Sequence, residues 1–200
     1  RVLAHATPLI FSGLAVAVAF KAGMFNIGVE GQYIVALMTA AAGALTLDFL
    51  PAVLLLPAVL LCAMLGGVVW AAIPALLKVR TGAHEVVTTI MMNGISLSLV
   101  AWALLNPMRT SDQGVIDLRT DIFTTKALVP KLATTFGLEE QLPPSVHLTW
   151  LFPFALVACW FVWFLLFRTR LGYEIRAIGS SSGSAEAGGI SIGALQVKAF

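Results

Sequence analysis

The chain has 200 residues, of which 59% are hydrophobic and only 11% are charged, whereas a soluble domain carries about 25% charged residues. This composition excludes an ordinary soluble domain and predicts an all-α polytopic integral membrane protein. The net charge of +2 is too small to suggest a nucleic-acid partner. Cys62 and Cys159 both lie inside apolar runs, which argues against a disulfide or a metal site.

Five apolar runs are long enough to cross a bilayer, which takes about 20 residues of helix. We predict complete transmembrane helices at about 2–20, 27–47, 52–77, 86–105 and 149–167, and the start of a sixth at 190–200. The chain begins without Met and stops within the last apolar run. We therefore expect a fragment, a single transmembrane domain over 1–200 that is cut at both ends.

Between the first two runs, residues 21–32 combine three glycines with two amides and the Glu30 carboxylate. Glycines loosen a helix, and a carboxylate beside a membrane span is costly unless it faces protein or water. One interpretation is a broken or re-entrant segment beside a polar pathway. The other is a tight cytoplasmic turn with Glu30 near a helix N-terminus or paired with Lys21. The residues alone leave both open.

Further polar groups lie in the fourth run, where Asn93 stands out because an amide both donates and accepts hydrogen bonds. Directional hydrogen bonds of this kind can replace water around a hydroxyl-rich solute. The predicted substrate pathway comprises Asn26, Glu30, Gln32, Thr88, Thr89 and Asn93. Hydroxyls inside spans more often bond neighbouring helices, and Asn93 has the same alternative. We favour the structural role for Glu30 and the pathway for Asn93.

Cation placement predicts the orientation, because short cytoplasmic loops are enriched in Lys and Arg. The segment 168–189 is assigned to the cytoplasm, together with Lys21, Lys78 and Arg80, and the loop 106–148 to the outside. Within 168–189 we expect short helices at 173–178 and 184–187, the second capped by Ser184. No nucleotide-binding or catalytic motif is present, so any ATPase would be a separate chain.

Three stretches, 6–32, 82–93 and 169–190, resemble the permease subunits of bacterial ABC importers, including the string Asn-Ile-Gly-Val-Glu-Gly-Gln. The likeness is to simple-sugar and nucleoside permeases, which are related to ribose and branched-chain amino-acid permeases. It implies a transport subunit in the bacterial cytoplasmic membrane that is not an enzyme and holds no cofactor. The implied partners are a second permease, two cytoplasmic ATPase domains that hold ATP and magnesium, and an extracytoplasmic solute-binding protein.

The resemblance also assigns 168–189 to ATPase coupling, although Ser-Ser-Ser-Gly-Ser precedes Ala185 where the family has Asn or Pro. The implied coupling residues are Gly172, Glu174, Arg176, Ala177, Gly179, Ala185 and Gly189. The expected function is ATP-driven import of a nucleoside or simple sugar by alternating access. The alternatives are an ABC permease for branched-chain amino acids and an ion-gradient-driven transporter in which Glu30 carries a proton.

Overall fold

The structure, a computed structural model, describes residues 2–110, 119–121, 125–135 and 148–200. These residues form α-helices, one 3-10 turn at Thr125–Ala127 and one isolated bridge between Lys131 and Thr149, which confirms the all-α prediction. Most of the predicted outer loop, 106–148, lies outside the described residues. The helices are α1 (Val2–Lys21), α2 (Val29–Thr46), α3 (Ala52–Thr81), α4 (Glu85–Leu105), α5 (Leu132–Thr135), α6 (Leu151–Arg168), α7 (Arg170–Ser180), α8 (Ser182–Ala187) and α9 (Ile192–Ala199).

Four of these helices, α1, α3, α4 and α6, are long and apolar enough to cross a membrane. The prediction of five complete spans is therefore too high by one among the described residues. Among the five predicted spans, α2 is the one that does not qualify as a membrane-crossing helix. It has 18 residues, and Glu30 and Gln32 lie near its start. Those two polar side chains, followed by a body rich in Ala and Gly, leave α2 less apolar than the others. The predicted start of a sixth span is the short helix α9.

The longest helix, α3, runs for 30 residues through Pro57 and Pro74. A helix of that length is about 45 Å long, whereas the hydrocarbon core is about 30 Å thick. Its last turn carries Lys78 and Arg80 and extends past the apolar run. Lys78 forms an ion pair with Glu85 in the first turn of α4. This pair fixes the corner between α3 and α4.

The chain divides into two compact units, and α2, α3 and α4 belong to the second, residues 27–128. Helices α2 and α3 pack closely because small residues face their neighbours. A Cβ on Gly66 would overlap the side chain of Thr39, and a Cβ on Gly43 would lie 3.0 Å from the Sγ of Cys62. Small residues of this kind let helices approach closely in a membrane.

We expect Gly66→Ala to destabilise this helix pair by about 1–2 kcal/mol, within the range for overpacking. The new methyl group would collide with three atoms of Thr39, so Thr39→Ala should recover part of the loss. Gly67→Ala is the matched control, since its Cβ would lie 3.8 Å from the Cβ of Ala36, an ordinary contact. Thermal unfolding of the purified protein measures the three variants. Equal losses at positions 66 and 67 would contradict the close contact.

The first unit comprises residues 1–26 and 129–200 and contains α1 and α5–α9. Its core joins the end of α1, the end of α6 and the short helices that follow. The buried residues are Ala22, Met24, Leu166, Ile175, Ile178, Ala185, Leu195 and Ala199. The polar segment 168–189, in which two short helices were predicted, is therefore a folded part of this unit that contributes to its core.

The predicted interruption between the first two apolar runs is present, since α1 ends at Lys21 and α2 begins at Val29. Gly23 adopts a positive φ of 73°, which only glycine adopts without strain. The N–H of Gly23 donates to Phe20 and the N–H of Met24 donates to Ala19, which satisfies two carbonyls at the end of α1. Met24 then turns into the core of the first unit and is almost fully buried.

Candidate functional site

The start of α2 is held by a side chain from α4. Asn93 accepts a hydrogen bond from the N–H of Gly31 at 2.9 Å and donates one to the carbonyl of Ile27 at 3.1 Å. A helix start leaves its first N–H groups without intrahelical partners, and Gly28 at the N-cap has no side chain to offer. The amide predicted for the pathway therefore caps α2 across the helix interface.

Gly31 is the point at which α2, α3 and α4 meet. A Cβ at this position would lie 2.8 Å from the Oδ1 of Asn93 and 3.1 Å from the Nε1 of Trp70. The indole N–H of Trp70 is buried and has no hydrogen-bond partner among the described residues. Trp70 lies within an uncharged run, so sequence reasoning had no signal that would mark it as part of this cluster.

The two threonines of the predicted pathway bond to their own helix. Thr89 is fully buried and its hydroxyl donates to the carbonyl of Glu85 at 2.7 Å. Thr88 donates to the same carbonyl at 3.0 Å. In this structure both hydroxyls are occupied by backbone carbonyls one turn back, and their place on the pathway remains a prediction.

The remaining predicted pathway residues fall into two groups. Glu30 is exposed in the first turn of α2, where a negative charge suits the helix dipole, and Gln32 is half-buried beside it. Asn26 belongs to the first unit, is only 3% exposed and donates to the carbonyl of Phe200 at 3.5 Å. The structure thus brings Glu30, Gln32 and Asn93 together at one helix start, with Thr88 and Thr89 in the preceding turns of α4.

In the predicted coupling segment, two capped helices follow α6 directly. The hydroxyl of Thr169 accepts from the N–H of Gly172 at 3.2 Å, and that of Ser181 accepts from the N–H of Ser184. The cap of α8 is therefore Ser181 and not Ser184, because Ser181 has the extended backbone of an N-cap residue. The helices themselves, 170–180 and 182–187, are longer than predicted.

Glycines set how closely α7 lies against its neighbours. A Cβ on Gly172 would overlap the carbonyl oxygens of Leu165 and Leu166 at the end of α6. At the other end of α7, a Cβ on Gly179 would overlap the carbonyl oxygen of Lys21, the last residue of α1. Two of the three predicted coupling glycines, Gly172 and Gly179, are therefore points of contact between backbones.

The faces of α7 and α8 differ sharply in exposure. Ile175 and Ile178 are buried on one face of α7, whereas Tyr173 on the other is 62% exposed. An open groove of about 410 Å³ runs between the two helices. Its lining includes Arg170, Tyr173, Glu174, Ala177, Ser181 and Ser184.

The other predicted coupling residues have structural contacts. Ala185 is 5% exposed and belongs to the core of the first unit. Gly189 follows the end of α8, and its N–H donates to the carbonyl of Glu186. Glu174 pairs with Arg170 at 3.0 Å along α7. The guanidinium of Arg176 lies 5.1 Å from the ring centre of Phe167. Only part of the predicted set is therefore available to a partner.

Comparison with known proteins gives a match along the whole chain. A family model described as "Branched-chain amino acid transport system / permease component" matches residues 1–200. The chain is 34% identical to the glucose ABC transporter permease protein of Haloferax volcanii, over 193 residues. It is 37% identical to the guanosine ABC transporter permease protein of Bacillus subtilis over 186 residues, and 30% identical to a nucleoside ABC transporter permease protein of Lactococcus lactis over 184.

These alignments cover 96%, 93% and 92% of this chain, but 50% of each relative. The chain thus spans about half the length of the curated relatives it matches. No solved structure matches it significantly.

Proposed function

The chain belongs to the family of branched-chain amino acid transport permease components, and on that basis we propose that it is part of the permease subunit of an ATP-driven ABC importer. It is a multi-pass membrane protein, and four helices among the residues that the structure describes are able to cross a bilayer. The observation that carries the proposal is the folded pair α7–α8 directly after a membrane-spanning helix. A rigid short element of this kind can transmit motion between two discrete arrangements.

The proposed solute is a nucleoside or a simple sugar. The relatives are named for glucose, guanosine and nucleosides, which all carry several hydroxyl groups. This proposal reverses the roles favoured from the sequence, because Asn93 bonds the backbone at the start of α2 and Glu30 is exposed there. Glu30 and Gln32 offer directional hydrogen bonds that suit such groups. We place the solute pathway beside this helix start, with Asn93 holding α2 in position. A branched-chain amino acid, which the family description names, is the alternative solute.

The proposed assembly is a second permease, two cytoplasmic ATPase domains and an extracytoplasmic solute-binding protein, in the bacterial cytoplasmic membrane. ATP and magnesium would be held by the ATPase chains. The groove between α7 and α8, with its exposed Tyr173, is the surface that we assign to ATPase docking. ATP-driven closure of the ATPases would move this helix pair and, through α6 and α1, reopen the spans on the opposite side.

The docking proposal predicts that Tyr173→Ala uncouples ATP hydrolysis from transport without unfolding the permease. An exposed aromatic at the centre of an interface contributes about 2 kcal/mol or more, so ATPase affinity should fall roughly thirtyfold. The measurement is solute uptake and solute-stimulated ATPase activity of the reconstituted full complex.

Two variants control this experiment. Tyr173→Phe keeps the ring and should retain coupling. Ser182→Ala changes an exposed residue of α8 outside the groove lining and should behave as the parent protein. Normal coupling in Tyr173→Ala would place the contact elsewhere, and uptake that continues without ATP would favour the ion-gradient alternative.

A further inference from the structure

Three cations surround two aromatic rings where α1 and α6 end. The Nζ of Lys21 lies 5.9 Å from the ring centre of Phe167, and the guanidinium of Arg176 lies 5.1 Å from the same centre. The guanidinium of Arg168 lies 5.8 Å from the ring centre of Trp163, one turn back along α6. All five residues belong to the first unit, so this cationic cluster is a local feature.

None of the three cations is neutralised by a carboxylate in the described part of the chain. The ion pairs found there are Lys78–Glu85 and Arg170–Glu174. Glu174, on the same helix as Arg176, is thus already engaged by Arg170. Three cations without a carboxylate partner among the described residues, at the ends of α1 and α6 and on α7, would attract an anion.

The position and exposure of the two aromatic rings indicate that the anion belongs to a lipid headgroup. Trp163 is 47% exposed and Phe167 is 45% exposed, and both belong to a helix apolar enough to cross a membrane. Lys21 and Arg168 are the last residues of α1 and α6, where apolar sequence gives way to polar sequence. Exposed aromatics and terminal cations together are typical of the level at which hydrocarbon meets headgroups.

We propose that Lys21, Arg168 and Arg176 bind the phosphate of an anionic phospholipid headgroup, whose acyl chains cover Trp163 and Phe167. Guanidinium groups bind phosphate oxygens through paired hydrogen bonds, and the ammonium of Lys21 adds a compact charge. An acidic segment of a protein partner fits less well, because it would leave the two exposed rings without an apolar neighbour. The proposal goes beyond the transport function and holds for any solute.

The test uses the full complex in phosphatidylcholine, titrated with a short-chain phosphatidylglycerol, with bound lipid counted by native mass spectrometry. The variant Lys21→Gln with Arg168→Gln should bind phosphatidylglycerol more weakly, by roughly fivefold for each cation removed. Lys21→Arg with Arg168→Lys keeps both charges and should keep the affinity. If the double Gln variant fails to assemble, Lys21→Gln alone should show the single fivefold loss.

Arg80→Gln is the matched control, because Arg80 is an exposed cation in the last turn of another apolar helix, α3. It should leave phosphatidylglycerol binding unchanged, and an equal loss there would overturn the proposed site in favour of general surface charge. Unchanged lipid affinity in the double Gln variant would also overturn the proposal. So would a double variant that keeps its bound lipid but loses the ATPase from the complex. Competition by inorganic phosphate at the same concentration as the lipid would show a site for a free anion and overturn the lipid assignment.

Discussion

Gly179→Ala is expected to destabilise the first unit by about 3 kcal/mol or more, at the upper end of the overpacking range. The added methyl group would overlap the carbonyl oxygen of Lys21 and lie 3.0 Å from the backbone N of Gly23. Both atoms belong to a backbone turn whose hydrogen bonds already fix it, so neither can move aside as a side chain would. The melting temperature should fall by roughly 2–4 °C for each kcal/mol in a chain of this size.

Gly183→Ala in α8 is the control for this prediction, because its Cβ would meet nothing within 4 Å. Alanine there should be neutral or stabilising by up to about 1 kcal/mol, since it restricts the unfolded chain. Coupled ATPase activity should fall in Gly179→Ala together with the melting temperature, because the α7–α1 contact transmits motion in the proposed mechanism. Equal stability of the two variants would show that α7 does not rest on the end of α1.

The ends of the membrane-spanning helices were largely predictable because apolar runs stop at charged residues. Helices α1 and α6 end at Lys21 and Arg168, each one residue past the predicted run. Helix α3 continues to Thr81, four residues further than predicted, because Lys78 and Arg80 favour helix even though they leave the apolar run. Hydropathy thus locates the end of a helix that stops at the first charged residue, as in α1 and α6, but not the end of a helix that continues past its apolar run, as in α3.

The contacts of individual residues in the candidate sites were not predictable in the same way. Ala185 was expected to face the ATPase, yet it is packed in the core, where Ala185→Trp would disrupt folding before it reported on coupling. The periodicity of a six-residue helix is too short to show which side is buried. Tyr173, which is the more exposed of the two, carried no distinguishing pattern beyond its place in a polar segment.

The hydrogen-bond partners of Asn93 were not predictable from the sequence either. Its amide was recognisable in the sequence, but its partners lie 62 and 66 residues away along the chain, at Gly31 and Ile27. A single sequence gives the hydrogen-bonding capacity of an amide inside a helix, while the packing of α2 on α4 decides which groups bond to it. In this structure the amide donates to the carbonyl of Ile27, just before α2, and accepts from the N–H of Gly31 in its first turn.

Asn93→Ala is therefore expected to lower stability and transport together. The change leaves the N–H of Gly31 and the carbonyl of Ile27 without this partner, at about 1–3 kcal/mol for each group that stays buried. Ser98→Ala on the same helix is the control, because its exposed hydroxyl bonds only its own helix, at 3.3 Å from the carbonyl of Gly94. Thermal unfolding and uptake kinetics of the reconstituted complex measure both variants.

A double-mutant cycle separates capping from solute contact. Gly31→Ala places a methyl group 2.8 Å from the Oδ1 of Asn93, so it should cost less stability once Asn93→Ala has removed that oxygen. A solute contact by Asn93 would give no such coupling in the absence of solute. Asn93→Ala with parental stability and an altered solute preference would assign the amide to the pathway and remove its capping role. Because α2 starts beside Glu30 and Gln32, we expect instead that losing the cap displaces both side chains and lowers uptake for every solute carried.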